Sequence, residues 1–267
     1  MKLQPPLVTE RADGSPEPMP TGHAPGTLRR SVELFRAFRV EQTDPARFYG
    51  LLAADSVRQL SGYADLAGRL VLDVGGGPGY FATAFAGAGA QYLAVDADLG
   101  EMSGVTAVGP GHEHGTSVLG SGTALPVRDG VVDVCYSSNV LEHVSEPERM
   151  ADEMVRVTKP GGTVFLSYTT WLSPWGGHET APWHYLGGRY AASRYRRRHG
   201  RPPKNEFGRT LFALSAGRML DWARHNDRVD VRDALPRYHP RWASWLVRVP
   251  ALREVAVWNL ALVLRVR

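Results

Sequence analysis

Residues Val71-Leu72-Asp73-Val74-Gly75-Gly76-Gly77-Pro78-Gly79-Tyr80-Phe81-Ala82 constrain the fold of this chain more than any other stretch. Apolar residues of strand type end on an acid, glycine and proline fill positions 75 to 79, and an Ala/Phe-rich run of helical character follows. The order is strand, tight turn, helix. A turn without Cβ atoms admits a ligand to van der Waals distance of the backbone, and the helix behind it directs free N–H groups at that ligand. The stretch therefore predicts an α/β fold that binds something small at a strand end. Asp73 supplies a carboxylate there, which suits a cationic amine better than a pyrophosphate.

The glycines at 75, 77 and 79 form G-x-G-x-G and lack the later glycine of the dinucleotide fingerprint. The helix after them carries Phe81 and Phe85 one turn apart and ends near Gly87 and Gly89. A second strand over 91–95 ends in Asp96, placed to accept two hydrogen bonds from a ribose diol. Nicotinamide and other nucleoside cofactors share that acid, so it supports a nucleoside without choosing among them.

Further signals follow in order. Residues 116–119 read as a short strand, and Gly120-Ser121-Gly122-Thr123-Ala124-Leu125-Pro126 follows it. Val131 to Tyr136 is an apolar run of the kind found in central parallel strands. It leads into Ser137-Ser138-Asn139-Val140-Leu141-Glu142-His143-Val144. Ser145 with Glu148 three residues on predicts a capping box, and Met150, Met154 and Val157 mark the buried face of that helix. Lys159-Pro160-Gly161-Gly162 stops the helix and turns into a strand over 163–168.

Together these motifs, over roughly residues 69–170, resemble the class I S-adenosylmethionine (SAM) methyltransferases. The resemblance implies a Rossmann-like, seven-stranded, mostly parallel sheet with helices on both faces. It places Asp73 near the amino acid end of SAM, Gly75, Gly77 and Gly79 in the cofactor turn, and Asp96 on the ribose. It puts Ser121, Gly122 and Thr123 beside the adenine, with Ser121 where the family usually has an acid, and Asn139 at the mouth of the pocket. His143 is expected as an orienting or core hydrogen-bonding group more than as a base. More loosely, the whole chain resembles uncharacterised methyltransferases of high-GC bacteria, including Gly176-Gly177-His178-Glu179 and His184-Tyr185-Leu186-Gly187-Gly188.

The flanks extend this plan. Residues 1–26, with prolines at 5, 6, 16, 18, 20 and 25, read as a disordered tail, and 27–267 as one methyltransferase domain. Within 27–66 two helices are expected. The first carries Leu28, Val32, Phe35 and Phe38 near helical spacing. The second is capped by Asp44-Pro45 and carries Phe48, Leu51, Leu52, Val57 and Leu60. In the resembled family such helices close over the cofactor. Residues 97–114 are glycine-rich and carry no periodicity.

After the fifth strand, 171–210 reads as a lid insertion over the acceptor. It holds Trp171, Trp175, His178, Glu179, Trp183, His184 and Tyr185, a mixture suited to an apolar body with a hydroxyl or acid to be methylated. His178, Glu179 and His184 are the candidate bases, with His143 beside them. His178-Glu179 could begin a metal site, but no third and fourth ligand stands at recognisable spacing, so no metal is expected. The arginines from 189 to 201 read as a solvated helix face, also able to hold an anion.

A helix over 215–224, a sixth strand over 229–235 and a seventh over 255–264 complete the reading. Between the last two, Tyr238, Trp242, Trp245, Leu246 and Val249 form an apolar, Arg-flanked segment that suggests peripheral contact with a partner or lipid surface.

Composition narrows the classes. The net charge of +4 rests almost wholly on arginine, lysine standing only at 2, 159 and 204, and no nucleic-acid reader motif accompanies the basic run. The single cysteine, Cys135, can form no internal disulfide and fits a reducing cytoplasm. No apolar run approaches the roughly 18 residues of a spanning helix. The expected function is SAM-dependent methylation of a small-molecule, lipid or glycan acceptor, at oxygen, in the cytoplasm or at the inner membrane face. A nicotinamide oxidoreductase and a non-catalytic SAM-binding protein are the alternatives.

Overall fold

The computed structural model describes residues 26–39, 43–77, 79–98 and 115–267. Seven strands, β1 (Leu70–Val74), β2 (Gln91–Asp96), β3 (Gly115–Leu119), β4 (Val132–Ser138), β5 (Thr158–Thr169), β6 (Val229–Pro236) and β7 (Asn259–Val266), form one sheet in the order β3-β2-β1-β4-β5-β7-β6. The pairs from β3 through β5 are parallel, and β7 runs antiparallel to both β5 and β6. The order of strands reverses between β1 and β4. In open α/β sheets the crevice at such a switch point, beyond the carboxyl ends of the strands, takes the ligand.

Two apolar layers cover the sheet. On one face Leu72, Cys135, Val164 and Leu262 meet Met150 and Met154 of α4 (Pro147–Val157) and Met219 and Leu220 of α6 (Ala216–His225). On the other, Val71, Val134, Tyr136 and Phe165 meet Phe48, Leu52 and Leu60 of α2 (Pro45–Leu60) and Phe85 of α3 (Ala82–Gly87). The side chains of β4, and those of β5 from Thr163 onward, are covered from both sides, as their continuous apolar runs require.

Several local expectations are corrected. In α1 (Leu28–Phe38) only the end of the apolar stripe faces the core: Phe38 packs on Phe48, while Leu28, Val32 and Phe35 are exposed, and Leu34 and Ala37 are buried. Arg30 fixes that rotation. Its guanidinium meets Asp55 of α2 at 2.6 Å through two nitrogens and the carbonyl of Arg237 at 3.1 Å, which turns the 30-34-37 side inward. The capping box of α4 is also absent. Its N-cap is Glu146 with no side-chain bond, Pro147 opens the first turn, and the Glu148 carboxylate pairs with Arg218 of α6.

The seventh strand starts later than its apolar run suggests. Pro250 initiates α7 (Pro250–Ala256), so Val255 is helical. The Lys-Pro-Gly-Gly turn belongs to the beginning of β5, with Gly161 at φ +78°. The expected tail lies outside the described residues except for Gly26, as do 99–114 of the glycine-rich segment. The insertion contributes two short 3-10 turns, His178–Thr180 and Trp183–Leu186, and the arginine-rich α5 (Gly188–His199). No helix of the described residues is long and apolar enough to cross a membrane.

Candidate active site

The glycine turn leaves β1 directly into the switch-point crevice, and its three glycines are needed for different reasons. Gly75, Gly77 and Gly79 all have φ between +51° and +83°. A Cβ at Gly75 would overlap the Val140 side chain, so this glycine lets the segment after β4 pack against the turn. A Cβ at Gly77 would meet nothing within 4 Å, so its outer side is open to a ligand. Above the turn, Tyr80 stacks on Tyr49 of α2 with ring centroids 4.5 Å apart and planes 9° apart. The second N-terminal helix therefore lies beside the turn.

Asp96 at the end of β2 accepts the Gly77 N–H at 2.9 Å through one oxygen and the Asp98 N–H at 2.9 Å through the other. Each oxygen keeps a lone pair for a diol. Asp73 is different: it is 2% exposed and lies under Gly76, and the Tyr92 hydroxyl donates to it at 2.6 Å. Burial pushes its carboxyl up to about 7 against the lowering effect of that hydrogen bond, with the Asp96 charge adding to the rise. Tyr92 itself was not singled out from the sequence, since it reads only as a strand residue. Ser121 closes a small turn, accepting from the Thr123 N–H at 3.2 Å and sharing a 2.9 Å bond with the Thr123 hydroxyl, while Gly122 packs against Met150 and Val74.

Asn139 stands at the carboxyl end of β4 with φ +57°. Its amide is committed to the protein: Nδ2 donates to the Ser138 hydroxyl at 3.1 Å and to Tyr238 at 3.2 Å, and Oδ1 accepts from Asn259 at 2.7 Å. Asn139 is thereby a positioning group for the crevice wall. Immediately after it, the 3-10 turn Leu141–His143 sets Glu142 and His143 side by side. Glu142 is 1% exposed; one oxygen accepts the Thr169 N–H at 2.9 Å, and the other has no partner among the described residues.

His143 Nδ1 faces the Thr210 carbonyl at 2.6 Å. A carbonyl only accepts, so Nδ1 carries the proton and Nε2 presents its lone pair. His178 comes from the insertion, held at φ +46°, and its ring lies edge-on to His143 at 5.1 Å between centroids. Burial pushes the His178 imidazole down to about 4, so it is neutral at physiological pH and a weak base. The other two candidate bases fall elsewhere. Glu179 is exposed and accepts from Asn205 at 3.1 Å, and His184 is 1% exposed inside the insertion, its Nε2 at 3.1 Å from the Ser173 carbonyl.

A second buried polar feature was also missed from the sequence. Arg237, fully buried, donates to Ser138 and Ser167 at 2.5 Å, to Ser56 at 2.6 Å and to Tyr136 at 3.0 Å, and its guanidinium lies 5.3 Å from the Phe165 ring centre. No carboxylate bonds to it among the described residues. Four hydroxyls from β4, β5 and α2 hold this cation behind the wall that Asn139 forms. Only its position beside Tyr238, between two strands, hints at the role.

The residues present fit SAM. The open side of Gly77 admits a backbone-hugging ligand, Asp96 keeps acceptors for a ribose, and buried Asp73 gains a counter-charge if an ammonium approaches. Comparison with known proteins agrees. Residues 72–166 match the methyltransferase-domain family. An uncharacterised methyltransferase of Mycobacteroides abscessus is 54% identical over 253 residues, spanning 90% of this chain and 95% of that protein. One of Mycobacterium marinum is 54% identical over 249 residues, spanning 90% and 96%.

Among solved structures, a SAM-dependent methyltransferase of Mesorhizobium loti shares the fold with a TM-score of 0.55 at 18% identity, over 81% of this chain and 97% of that one. A TehB-like SAM-dependent methyltransferase of Corynebacterium glutamicum does so with a TM-score of 0.52 at 15% identity, over 90% and 100%. The glycine turn, the two strand-end acids and relatives matched nearly end to end lead to one family: the chain belongs to the class I SAM-dependent methyltransferases.

Proposed function

We propose that the chain methylates an oxygen of a small-molecule, lipid or glycan acceptor, using SAM held by Asp73, Asp96 and the turn at Gly75, Gly77 and Gly79. The observation that carries the oxygen reading is the cluster of Glu142, His143 and His178 at the carboxyl ends of β4 and β5, with a buried oxygen of Glu142 and Nε2 of His178 left without partners among the described residues. Acceptors that carry a proton to be lost need such groups; the sulfonium methyl itself is already activated, so the rest of the rate comes from positioning and from excluding water. Glu142, His143 or His178 would take up the acceptor hydroxyl, directly or through an ion they hold, and bound SAM would supply the methyl group. The exposed insertion residues Trp183 and Tyr185 provide apolar surface for the body of the acceptor.

The test is transfer from SAM labelled with carbon-13 in the methyl group into fractionated small-molecule, lipid and glycan extracts. The chemical shift of the transferred methyl distinguishes oxygen from nitrogen and carbon. An O-methyl product supports the reading, and an N- or C-methyl product removes it. A protein that binds SAM yet labels nothing in any fraction is the non-catalytic alternative.

A lipid acceptor is favoured by one surface feature. Trp242 is 73% and Trp245 49% exposed in the 3-10 segment Arg241–Arg248, and this segment adjoins α1 through the Arg241 N–H donating to the Gly26 carbonyl at 2.7 Å. Leu28 and Val32 of α1 are exposed as well. Co-sedimentation with anionic vesicles, lost on replacing both tryptophans by serine, supports peripheral docking; absence of sedimentation of the intact protein refutes it.

A further inference from the structure

Glu142 and the two histidines beside it are arranged as ligands rather than as a hydrogen-bonded relay. Glu142, His143 and His178 each offer one ligand atom, and these atoms all lie within 4.8 Å of one another. Ligands around a first-row ion with bonds of about 2.0–2.2 Å sit roughly 3–4 Å apart, so a modest contraction closes the set. A relay would need an imidazole N–H on the second oxygen of Glu142. That oxygen, almost wholly buried, has no hydrogen-bond partner among the described residues, and neither has Nε2 of His178. Leaving a carboxylate oxygen and a ring nitrogen both buried and unpaired is costly. A cation between them removes the cost.

We propose that Glu142, His143 and His178 bind one divalent first-row transition-metal ion at the acceptor side of the crevice.

The surrounding contacts orient each ligand. The Thr169 N–H fixes one oxygen of Glu142 at 2.9 Å and leaves the other toward the cluster. The Thr210 carbonyl holds the proton on Nδ1 of His143 at 2.6 Å, which makes Nε2 the metal-binding atom, the usual outer-shell device for a ligating histidine. His178 is kept in the left-handed region, a strained conformation for a histidine, by the turn that follows Gly177. A Cβ at Gly177 would strike the His184 ring, so this glycine and the buried His184 set the turn that aims His178 inward. That gives His184 a positioning role.

Two imidazoles and one carboxylate suit zinc, iron, manganese or cobalt and leave coordination positions open, whereas magnesium and calcium prefer oxygen donors throughout. Glu142 and His143 follow Val140 by two and three residues, and Val140 packs on Gly75 of the cofactor turn, so the open positions adjoin the SAM crevice. Resting on the reading of methyl transfer to oxygen, the ion would bind the acceptor hydroxyl and lower its pKa. The proton passes to solvent. A lone pair of the oxygen then forms the bond to the methyl carbon, and the carbon–sulfur bond breaks with its electrons going to sulfur, giving the methyl ether and S-adenosylhomocysteine.

The test uses the full chain, stripped with chelator and titrated with Co2+ while the visible ligand-field spectrum is recorded, with zinc content after dialysis as the second readout. The expected result is one ion per chain. His178→Ala and Glu142→Gln, each checked for an unchanged melting profile and retained SAM binding, are expected to lose at least about 100-fold in Co2+ affinity. Glu179→Gln keeps it. No stoichiometric ion in a folded, SAM-binding protein overturns the metal site and leaves methyl transfer standing. Undiminished binding in whichever of the two variants folds overturns the assignment to these residues. Stoichiometric binding lost in the variants supports the site even where the labelled product is not an ether, and in that case only the oxygen reading fails.

Discussion

Replacing Asp73 by Asn removes a carboxyl that the fold holds in its neutral form well above the ordinary range. Burial lifts the carboxyl from 3.8 to about 7, and the Tyr92 hydroxyl, 2.6 Å away, finds an equivalent acceptor in an asparagine oxygen. Between these values the unfolded chain has released the proton and the folded chain retains it. Folded protein binding more protons means that stability falls as pH rises, by about 1.4 kcal/mol per pH unit. From pH 5 to pH 7 the wild type therefore loses about 2 kcal/mol at this site, and the loss levels off above the folded value near 7. Asparagine carries no such dependence. Urea denaturation of both proteins across pH 5 to 8 should show the variant gaining on the wild type by about 2 kcal/mol over that range. Saturating SAM should flatten the wild-type slope, because an ammonium beside Asp73 favours the ionised form and stabilises the folded state by mass action. A difference between the two proteins that does not change with pH would refute the buried, proton-holding environment of Asp73.

Gly75→Ala combines a left-handed backbone with overlap onto Val140, and should lower stability by roughly 2–4 kcal/mol in the same denaturation assay. Gly77→Ala meets only open space, so its expected stability cost is about 1 kcal/mol, while calorimetry should show SAM affinity down at least about tenfold. Arg237→Ala strips the guanidinium from four buried hydroxyls and leaves a cavity. An expected loss of roughly 3–5 kcal/mol is measurable by denaturation.

The proposed cofactor half of the site reads from the sequence because it is local. Asp73, the three glycines and Asp96 lie within one strand-turn-helix-strand unit at fixed spacing, so their placement at the crevice follows from local sequence. The meeting of Glu142, His143 and His178, the proposed acceptor half, does not. Glu142 and His143 meet His178 only because a turn 35 residues later holds a histidine at φ +46°, and no periodicity encodes that. Local spacing paired His178 with Glu179 instead, which the fold turns outward to Asn205.

The rotation of α1 is set by another long-range contact. A single long-range ion pair from Arg30 to Asp55 outweighs the apolar spacing of Leu28, Val32 and Phe35. The seventh strand was misplaced because an apolar run fits helix and strand alike, and Pro250 decides in favour of helix for its first turns.

The most direct test of the central claim, that the glycine turn and Asp96 form a SAM site, is calorimetric titration of the wild type, Asp96→Ala and Gly77→Val with SAM, S-adenosylhomocysteine and NAD. Micromolar binding of SAM or S-adenosylhomocysteine by the wild type, lost in both variants, with no heat from NAD, is the result the structure predicts. Undiminished SAM binding by Asp96→Ala and Gly77→Val, or binding of NAD alone, would contradict it.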